Sequence, residues 1–460
     1  MLSHQIIVMQ PPHPSGNLAT LALAFVLTCA VHGEASAQRN KPPPPPPPIA
    51  DSNLQLVSTN TAGTVIDGEV CGLSAEGGKV LFRSRNGTFE PQQLFIKDFN
   101  GNTSTRVVFE RSPSVKLTCL AMTPDANTVV FIGAAPNGVT DFLGREGVEP
   151  AIKVKNLLTG VETRITPMLK TLSSLTKFTF AGVSDDGQRV AFIGEPTFSC
   201  VLYSCTALGP TRMFVRDLGT GALLNLDEQV RLTSSQGQVD GNALLSPDGK
   251  SLAFSTRASY PELGDSNANR SDVFVLNLAS NTVRLVTADA NGQQLTIQGF
   301  GGTAVGPTYG VQSFLANSTR VAFRSSANLN VGNANIYAKD LLTGALTPVM
   351  PNGFSVNFPN VNVNGVRADL SFSDDGRKVA YVPRSNTNPQ PPARPIVLDL
   401  TNGTTLNAAT LTSGTMGNGR VNLGMLLSRD GRVTAFDNNS TNLVAGTSTN
   451  VVRTYRRLLP

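Results

Sequence analysis

The sequence predicts an all-β protein, a seven-bladed β-propeller of four-stranded antiparallel blades. Three observations lead to this prediction. A short turn-containing phrase recurs seven times, a second hairpin signal follows the first six copies, and the two ends of the repeating region complete each other. Self-similarity at a long, regular period is typical of repeat architectures.

The recurring phrase is a hydrophobic residue, a small polar turn and an apolar triplet that closes on an aromatic ring. In the copy SPDGKSLAF (residues 246–254), Pro247 presets φ for a type I turn, and Gly249 stands where glycine is favoured. The triplet Leu-Ala-Phe shows no alternation, which is typical of a strand buried on both faces, as between two neighbouring blades. The closing aromatics lie between 49 and 69 residues apart, which fits a four-stranded blade: Phe82, Phe131, Phe192, Phe254, Phe323, Tyr381 and Phe436.

The second signal is an alternating, β-rich run that ends in a polar corner with a late glycine. Residues 213–221 (MFVRDLGTG) and 335–344 (NIYAKDLLTG) are two examples. An Asx residue followed by glycine suits three- to five-residue hairpin loops. The run and its corner therefore predict the third and fourth strands of each blade.

The two ends of the repeating region predict how the ring closes. The seventh unit has a third strand, expected from Asn450 to Tyr455, but no room for an outer strand of its own. The segment from Leu54 to Ser58 precedes the first unit and matches the outer strands of the other blades. We expect these two segments to pair, because closure hides a sheet edge and apolar surface.

The two phrases, S-x-D-G-x-x-[VL]-A-F and [FYV]-x-x-D-L-x-T-G, resemble the WD40-like β-propeller repeats of the TolB type. The resemblance covers about residues 54–457. It implies the propeller fold and says little of function, because the phrases serve turn and packing geometry. The resemblance does not include the separate α/β domain that precedes the propeller in TolB. The blades of TolB are also typically shorter than the repeats of this chain.

The chain divides into three predicted segments. Residues 1–37 have an apolar stretch and a small-x-small motif ending at Ala37, which predict a cleaved export signal. Residues 38–53 include seven consecutive prolines and predict a polyproline II spacer. Residues 54–460 form the propeller. We therefore expect a periplasmic or secreted protein with no transmembrane segment after cleavage. For the signal, the alternatives are a mis-assigned start codon and a lipoprotein anchored at Cys29. For the spacer, the alternative is a ligand for a proline-binding module.

Composition limits the chemistry of the exported chain. All three histidines, His4, His13 and His32, lie in the predicted signal, so no imidazole would remain for a Ser-His-Asp or Cys-His arrangement. We therefore expect the protein not to be an enzyme, with no catalytic residues and no cofactor. Six aspartates occupy turn positions, where we expect their side chains to cap local backbone: Asp185, Asp186, Asp248, Asp374, Asp375 and Asp430.

One loop carries a weak calcium signal. Asp265, Asn267, Asn269 and Asp272 present oxygen atoms at nearly alternating positions, as in the first half of a calcium loop. Arg270 stands where an EF-hand needs glycine, and no glutamate closes the loop. A hydrogen-bonded Asx-rich loop is the alternative.

Four cysteines remain after the predicted cleavage, an even number that suggests disulfides in an oxidising compartment. Cys200 and Cys205 flank four residues within a long insertion, and we expect them to close a small loop. Cys71 and Cys119 fall on the predicted inner strands of neighbouring blades. They either pair or remain buried thiols.

These features predict a protein-protein interaction scaffold, a monomer that binds an unidentified protein or peptide through loops inserted between the second and third strands. The formal charge of +5 is spread thinly, without an aromatic-basic stripe, so we expect no nucleic-acid partner. One alternative is a carboxylate- or calcium-dependent propeller that uses its central channel to bind a small ligand or carbohydrate, or to act as an enzyme. The other is an adhesion protein displayed on a proline-rich stalk. Acidic side chains that converge on the axis would favour the channel alternative.

Overall fold

A computed structural model gives the fold of the chain. It describes residues 52–84, 92–110, 112, 115–140, 146–168, 175–196, 198–201, 204–207, 211–227, 239–265, 271–289, 291–295, 297–298, 304–305, 309–315, 318–325, 334–351, 370–383, 394–421, 424–444 and 451–460. The predicted signal and almost all of the predicted spacer lie outside these residues. Within them, no helix is long and apolar enough to cross a membrane.

The described residues form seven four-stranded antiparallel blades, whose strands we call A to D from the axis outward. Blade 1 contains β2 (Glu69–Leu73), β3 (Lys79–Ser84), β4 (Gln92–Asp98) and β5 (Thr103–Glu110). Blade 2 contains β6 (Thr118–Met122), β7 (Thr128–Thr140), β8 (Glu146–Asn156) and β9 (Glu162–Arg164). Blade 3 contains β10 (Leu175–Val183), β11 (Arg189–Pro196), β14 (Arg212–Asp217) and β15 (Leu223–Asn225).

The next three blades repeat the same order. Blade 4 contains β16 (Val239–Leu245), β17 (Ser251–Thr256), β18 (Asp272–Asn277) and β19 (Thr282–Leu285). Blade 5 contains β22 (Tyr309–Leu315), β23 (Arg320–Ser325), β24 (Ala334–Asp340) and β25 (Leu346–Pro351). Blade 6 contains β26 (Leu370–Phe372), β27 (Lys378–Tyr381), β28 (Ile396–Asp399) and β29 (Thr405–Asn407).

Blade 7 is built from both ends of the repeating region, as predicted. Its strands in order are β30 (Met425–Leu427), β31 (Val433–Asn438), β32 (Arg453–Leu458) and, outermost, β1 (Leu54–Leu56). Leu54 lies opposite Arg457 and Leu56 opposite Tyr455. The closing strand runs to Leu458, three residues past its predicted end, and β1 is shorter than predicted. Beyond β1, the backbone N–H of Val57 still donates to the carbonyl of Thr454 at 2.9 Å.

The innermost strands form a ring. Each A strand contacts the A strand of the next blade, and β30 of blade 7 contacts β2 of blade 1. Seven apolar clusters fill the spaces between neighbouring blades, one for each junction. The prediction of a closed seven-bladed propeller is therefore confirmed.

The apolar triplet of each B strand serves two junctions at once. In blade 4, Leu252 and Phe254 pack against blade 3, whereas Ala253 packs against blade 5. All three side chains are buried, since the strand has a neighbouring blade on each face. In blades 3 to 6 the middle residue of the triplet is alanine, which faces one junction while the two larger residues face the other.

The repeated turn between strands A and B has one hydrogen-bond pattern. In blade 3, the Ser184 hydroxyl donates to Asp186 at 2.6 Å and accepts the backbone N–H of Arg189 at 2.9 Å. The same Asp186 oxygen accepts the N–H of Gln188 at 2.9 Å. Ser246, Ser373 and Ser428 make equivalent bonds to Asp248, Asp375 and Asp430. These four aspartates cap local backbone, as expected.

Strand order assigns every connection to one of two faces. Because successive strands are antiparallel, the A–B and C–D turns lie on one face, which we call the turn face. The B–C connections and the links from D to the next A lie on the other, which we call the connection face. The additional elements belong to the connection face: β12 (Phe198–Val201), β13 (Ser204–Ala207), β20 (Ile297–Gln298), β21 (Ala304–Val305) and a 3-10 helix, Pro261–Leu263.

Candidate functional site at the turn face of the axis

The A–B turns meet around the axis on the turn face. Their second residues form a set that we call the turn collar: Ala75, Pro124, Asp185, Pro247, Asp374 and Arg429 in blades 1, 2, 3, 4, 6 and 7. The equivalent residue of blade 5, Ala316, lies outside the described residues.

Backbone hydrogen bonds join this collar from one blade to the next. The N–H of Ala75 donates to the carbonyl of Pro124, and that of Asp185 to Pro247, each at 2.8 Å. The N–H of Asp374 donates to the carbonyl of Arg429 at 2.8 Å. Across the closing junction of the ring, the N–H of Arg429 donates to the carbonyl of Ala75 at 3.0 Å. Pro124 and Pro247 lack an N–H and cannot donate onward. The collar therefore fixes the turns of neighbouring blades relative to one another.

Three collar residues carry charge and converge on one point. The Arg429 guanidinium donates from Nη1 and Nη2 to the two carboxylate oxygens of Asp185. Its Nη1 also lies 3.7 Å from Asp374 Oδ2. Blades 7 and 3 are not neighbours, since blades 1 and 2 separate them on the shorter path. The Arg429–Asp185 ion pair therefore crosses the axis.

The two carboxylates of this cluster are not equivalent. Burial raises the pKa of Asp374; Arg429 opposes that rise, and the carboxylates of Asp185 and Asp375 add to it. Asp185 takes both arms of the guanidinium, which leaves Asp374 with a single, longer contact. Two carboxylates share one cation here, and Asp374 has the weaker contact with it.

This cluster differs from the sequence-based expectation. Asp185 and Asp374 were expected to cap their turns, but the caps come from the next residues, Asp186 and Asp375. The second position of the turn points toward the axis instead. The available signal was the residue type at this position: alanine or proline in blades 1, 2, 4 and 5, but charged in blades 3, 6 and 7.

A cleft of about 280 Å³ lies beside the collar, between blades 6 and 7. Its lining has both signs of charge, from Asp375, Asp399, Asp430, Arg377 and Lys378. Asp375 and Asp430 are engaged by their own turns, and Lys378 Nζ donates to the carbonyl of Pro460 at 3.0 Å. These polar groups are therefore used within the fold.

The weak calcium candidates fall partly within the described residues. Asp265 Oδ2 accepts the backbone N–H of Tyr260 at 3.0 Å. Asp272 accepts from the Thr287 hydroxyl at 2.6 Å and from Gln294 Nε2 at 2.8 Å. Asn267 and Asn269 lie outside the described residues. The calcium site stays a prediction, although protein donors engage both of its carboxylates.

One of the two possible disulfides is present. Cys71 of β2 and Cys119 of β6 are bonded, with their Cα atoms 5.9 Å apart, so blades 1 and 2 are joined covalently beside the axis. Cys200 and Cys205 are direct backbone partners in the β12–β13 hairpin. Their side chains lie outside the description, and this disulfide stays a prediction.

The seven four-stranded blades make the protein a β-propeller. No protein-family model matches the chain, and no curated protein matches it. An oligogalacturonate lyase in complex with manganese matches with a TM-score of 0.50 and 14% identity, covering 88% of this chain and 91% of that one. The oligogalacturonate lyase of Vibrio parahaemolyticus matches with a TM-score of 0.52 and 11% identity, covering 90% and 96%. TolB from Acinetobacter baumannii matches with a TM-score of 0.39 and 13% identity, covering 86% of this chain and 81% of that one.

The expectation that the protein is not an enzyme is contradicted by the two lyase structures. They are enzymes, and each matches about nine-tenths of this chain. At 11–14% identity the likeness shows the fold, and it does not transfer the lyases' reaction to this chain.

The manganese of one lyase structure raises the question of whether this chain could hold the same metal. Among the residues described here, no group of three or more His, Cys, Asp or Glu side chains is placed to hold a metal ion. All three histidines of the sequence fall within residues 1–37, outside that part. The described donor set does not fit manganese.

Proposed function

We propose that the protein is an exported propeller that docks a protein or peptide on its connection face. The supporting observation is a paired hairpin that extends from blade 2 on that face and carries exposed valines. The turn face, in contrast, consists of similar short turns. Loops and hairpins on a rigid scaffold are the usual place for recognition.

The hairpin is the outer part of β7 and β8, which we call the blade 2 extension (residues 134–140 and 146–150). Its pairing runs from Ala134 opposite Pro150 to Pro136 opposite Val148, shifts register, and resumes at Thr140 opposite Glu146. Val139 is 54% exposed and Val148 is 43% exposed. Apolar side chains held on a hydrogen-bonded hairpin contact a partner at a lower ordering cost than those on an unpaired loop.

Arg164 fastens the base of this extension. Its Nη1 donates to the carbonyl of Pro136 at 2.5 Å, and its Nη2 pairs with Glu149 and donates to the carbonyl of Pro167 at 2.9 Å. Its Nε donates to the carbonyl of Thr166 at 2.8 Å. One side chain thus ties both strands of the extension to the link that follows β9. This arrangement supports a preorganised docking element.

Export rests on the sequence alone, through the signal predicted in residues 1–37 and the proline-rich spacer after it. An oxidising compartment also suits the Cys71–Cys119 disulfide. Fractionation of cells that produce the full chain checks this part of the proposal.

The docking proposal is tested with two matched pairs of substitutions. Val139→Asp with Val148→Asp adds two charges to the extension, whereas Leu158→Asp with Leu342→Asp adds two charges at exposed C–D turns on the opposite face. Each variant is used to recover binding proteins from an envelope extract. We expect the extension variant to lose roughly tenfold in recovery of a specific partner, about 1.4 kcal/mol, and the turn variant to match the unmodified protein. Equal recovery by both variants, with unchanged thermal unfolding, contradicts the proposal.

A second candidate function is chemistry on an acidic oligosaccharide. The likeness to two oligogalacturonate lyases and the convergence of Asp185 and Asp374 on the axis favour it. A lyase that eliminates a glycosidic bond leaves a carbon–carbon double bond, which absorbs in the ultraviolet. Purified protein is incubated with oligogalacturonate, with and without manganese, and absorbance is followed. Absorbance that rises with protein concentration supports this candidate, and a flat trace rejects it for this substrate.

A further inference from the structure

Arg429, a turn residue of blade 7, contacts three other blades. Its backbone N–H donates to blade 1 through Ala75, and its carbonyl accepts from blade 6 through Asp374. Its guanidinium binds Asp185 of blade 3 and approaches the Asp374 carboxylate. A single residue of blade 7 therefore contacts four parts of the ring: blade 1, blade 3, blade 6 and its own blade.

We propose that Arg429 is a brace across the axis, which couples blade 3 to blade 7 and so holds the ring closed at the turn face. The brace does not depend on the docking function proposed above. It concerns how the ring resists opening.

The position of the brace follows from the weak point of the ring. Blade 7 gains its fourth strand from β1, which has three residues and is separated from β32 by nearly the whole chain. The apolar clusters connect neighbouring blades only, so they do not link blade 7 to blade 3. When the ring opens between blades 7 and 1, blade 3 can move away from blade 7, and the ion pair must break. The pair therefore opposes opening.

The geometry suits this role. An arginine that binds both oxygens of a carboxylate is held in orientation as well as in distance, which a lysine would not provide. The pair is partly exposed, so its contribution is that of a screened contact rather than of a buried one. Its effect should appear in the opening of the ring more than in total stability.

The test uses hydrogen exchange on the purified full chain with four variants: Arg429→Met, Asp185→Asn, the two combined, and Glu162→Gln as control. Glu162 pairs with Lys153 and Lys155 of its own blade at similar exposure, so its loss breaks an ion pair without uncoupling blades. We expect both single variants to speed exchange by at least about threefold at the amides of β32 and of the blade 3 turn. The combined variant should add little to either, because they remove one shared contact.

Three outcomes overturn the proposal. The first is faster exchange confined to the blade 7 turn in Arg429→Met. The second is additive effects in the combined variant. The third is an equal effect of Glu162→Gln at β32. Asp185→Asn changes only one carboxylate oxygen and keeps the backbone bond to Pro247, so it serves where the arginine variant folds poorly.

Discussion

At the scale of single residues, two adjacent aspartates of the blade 6 turn have opposite surroundings. Burial opposes ionisation of Asp375, but hydrogen bonds from Ser373 and from the backbone of Arg377 outweigh it, and its pKa lies below the ordinary value. Burial raises the pKa of its neighbour Asp374, which points to the axis. One carboxylate thus stabilises the fold when charged, and the other destabilises it.

This difference gives a pH-dependent prediction. The folded pKa of Asp374 lies above its unfolded value, so the ionised carboxylate lowers the free energy of unfolding at pH values above the folded pKa. This cost disappears at pH values below the ordinary pKa of about 3.9, because the carboxyl group is then protonated in both states. Asp374→Asn should therefore stabilise the protein at neutral pH and lose its advantage as the pH falls. Asp375→Asn should destabilise it at neutral pH. Denaturant unfolding at several pH values measures both, and the same sign for both variants would contradict the assignment.

A second prediction concerns the turn glycines. Gly77 has φ +68°, and an added Cβ would lie 2.3 Å from Cβ of Val433 in the preceding blade. Gly160 has φ +74°, but an added Cβ would meet nothing within 4 Å. Gly160→Ala should therefore cost only about 1 kcal/mol of backbone strain, and Gly77→Ala about 3 kcal/mol, because overpacking adds to it. Thermal unfolding compares them; equal losses would show that close approach to blade 7 is unimportant.

At the scale of elements, the blades share a cross-strand aromatic pair. The closing aromatic of strand B lies opposite and stacks on a ring in strand C in five blades: Phe82 with Phe95, Phe192 with Phe214, Phe254 with Phe274, Phe323 with Tyr337 and Phe436 with Tyr455. Such pairs stabilise a sheet beyond the area they bury. In blade 2 the partner is Lys153, whose Nζ lies 5.5 Å from the centroid of the Phe131 ring.

The disulfides give a prediction at this scale. Replacing Cys71 and Cys119 together by alanine opens a covalent loop between residues 48 positions apart and should lower the free energy of unfolding by about 3–4 kcal/mol. Replacing Cys200 and Cys205 should cost less, since the loop they would close is short. Peptide mapping of the oxidised protein checks the second bond. Free thiols at both positions would contradict it.

At the level of the whole molecule, the sequence alone was sufficient to predict a closed seven-bladed propeller. The Ser-x-Asp-Gly turns and the apolar triplets recur because every blade must turn at the same place and fill the same two junctions. The pairing of the ends followed from one missing strand in blade 7 and one unassigned strand at Leu54. These signals are local or periodic, so a single chain reveals them.

The axial cluster could not be predicted in the same way. Arg429 and Asp185 are 244 residues apart, and nothing local marks the second turn position as facing the axis. Their contact depends on the number of blades and on the closure of the ring. The expectation that the protein is not an enzyme rested on composition alone, and it is contradicted by two lyases that match this fold.

A designed disulfide between β1 and β32 tests whether these two strands close the ring. Gln55 lies opposite Arg456 in a hydrogen-bonded register, a spacing that a disulfide can bridge. If β1 and β32 pair as described, Gln55→Cys with Arg456→Cys forms this bond under mild oxidation and raises resistance to denaturant. Mass spectrometry of digested protein detects the linked peptides. Two thiols that remain free and reactive in the folded protein would contradict the account.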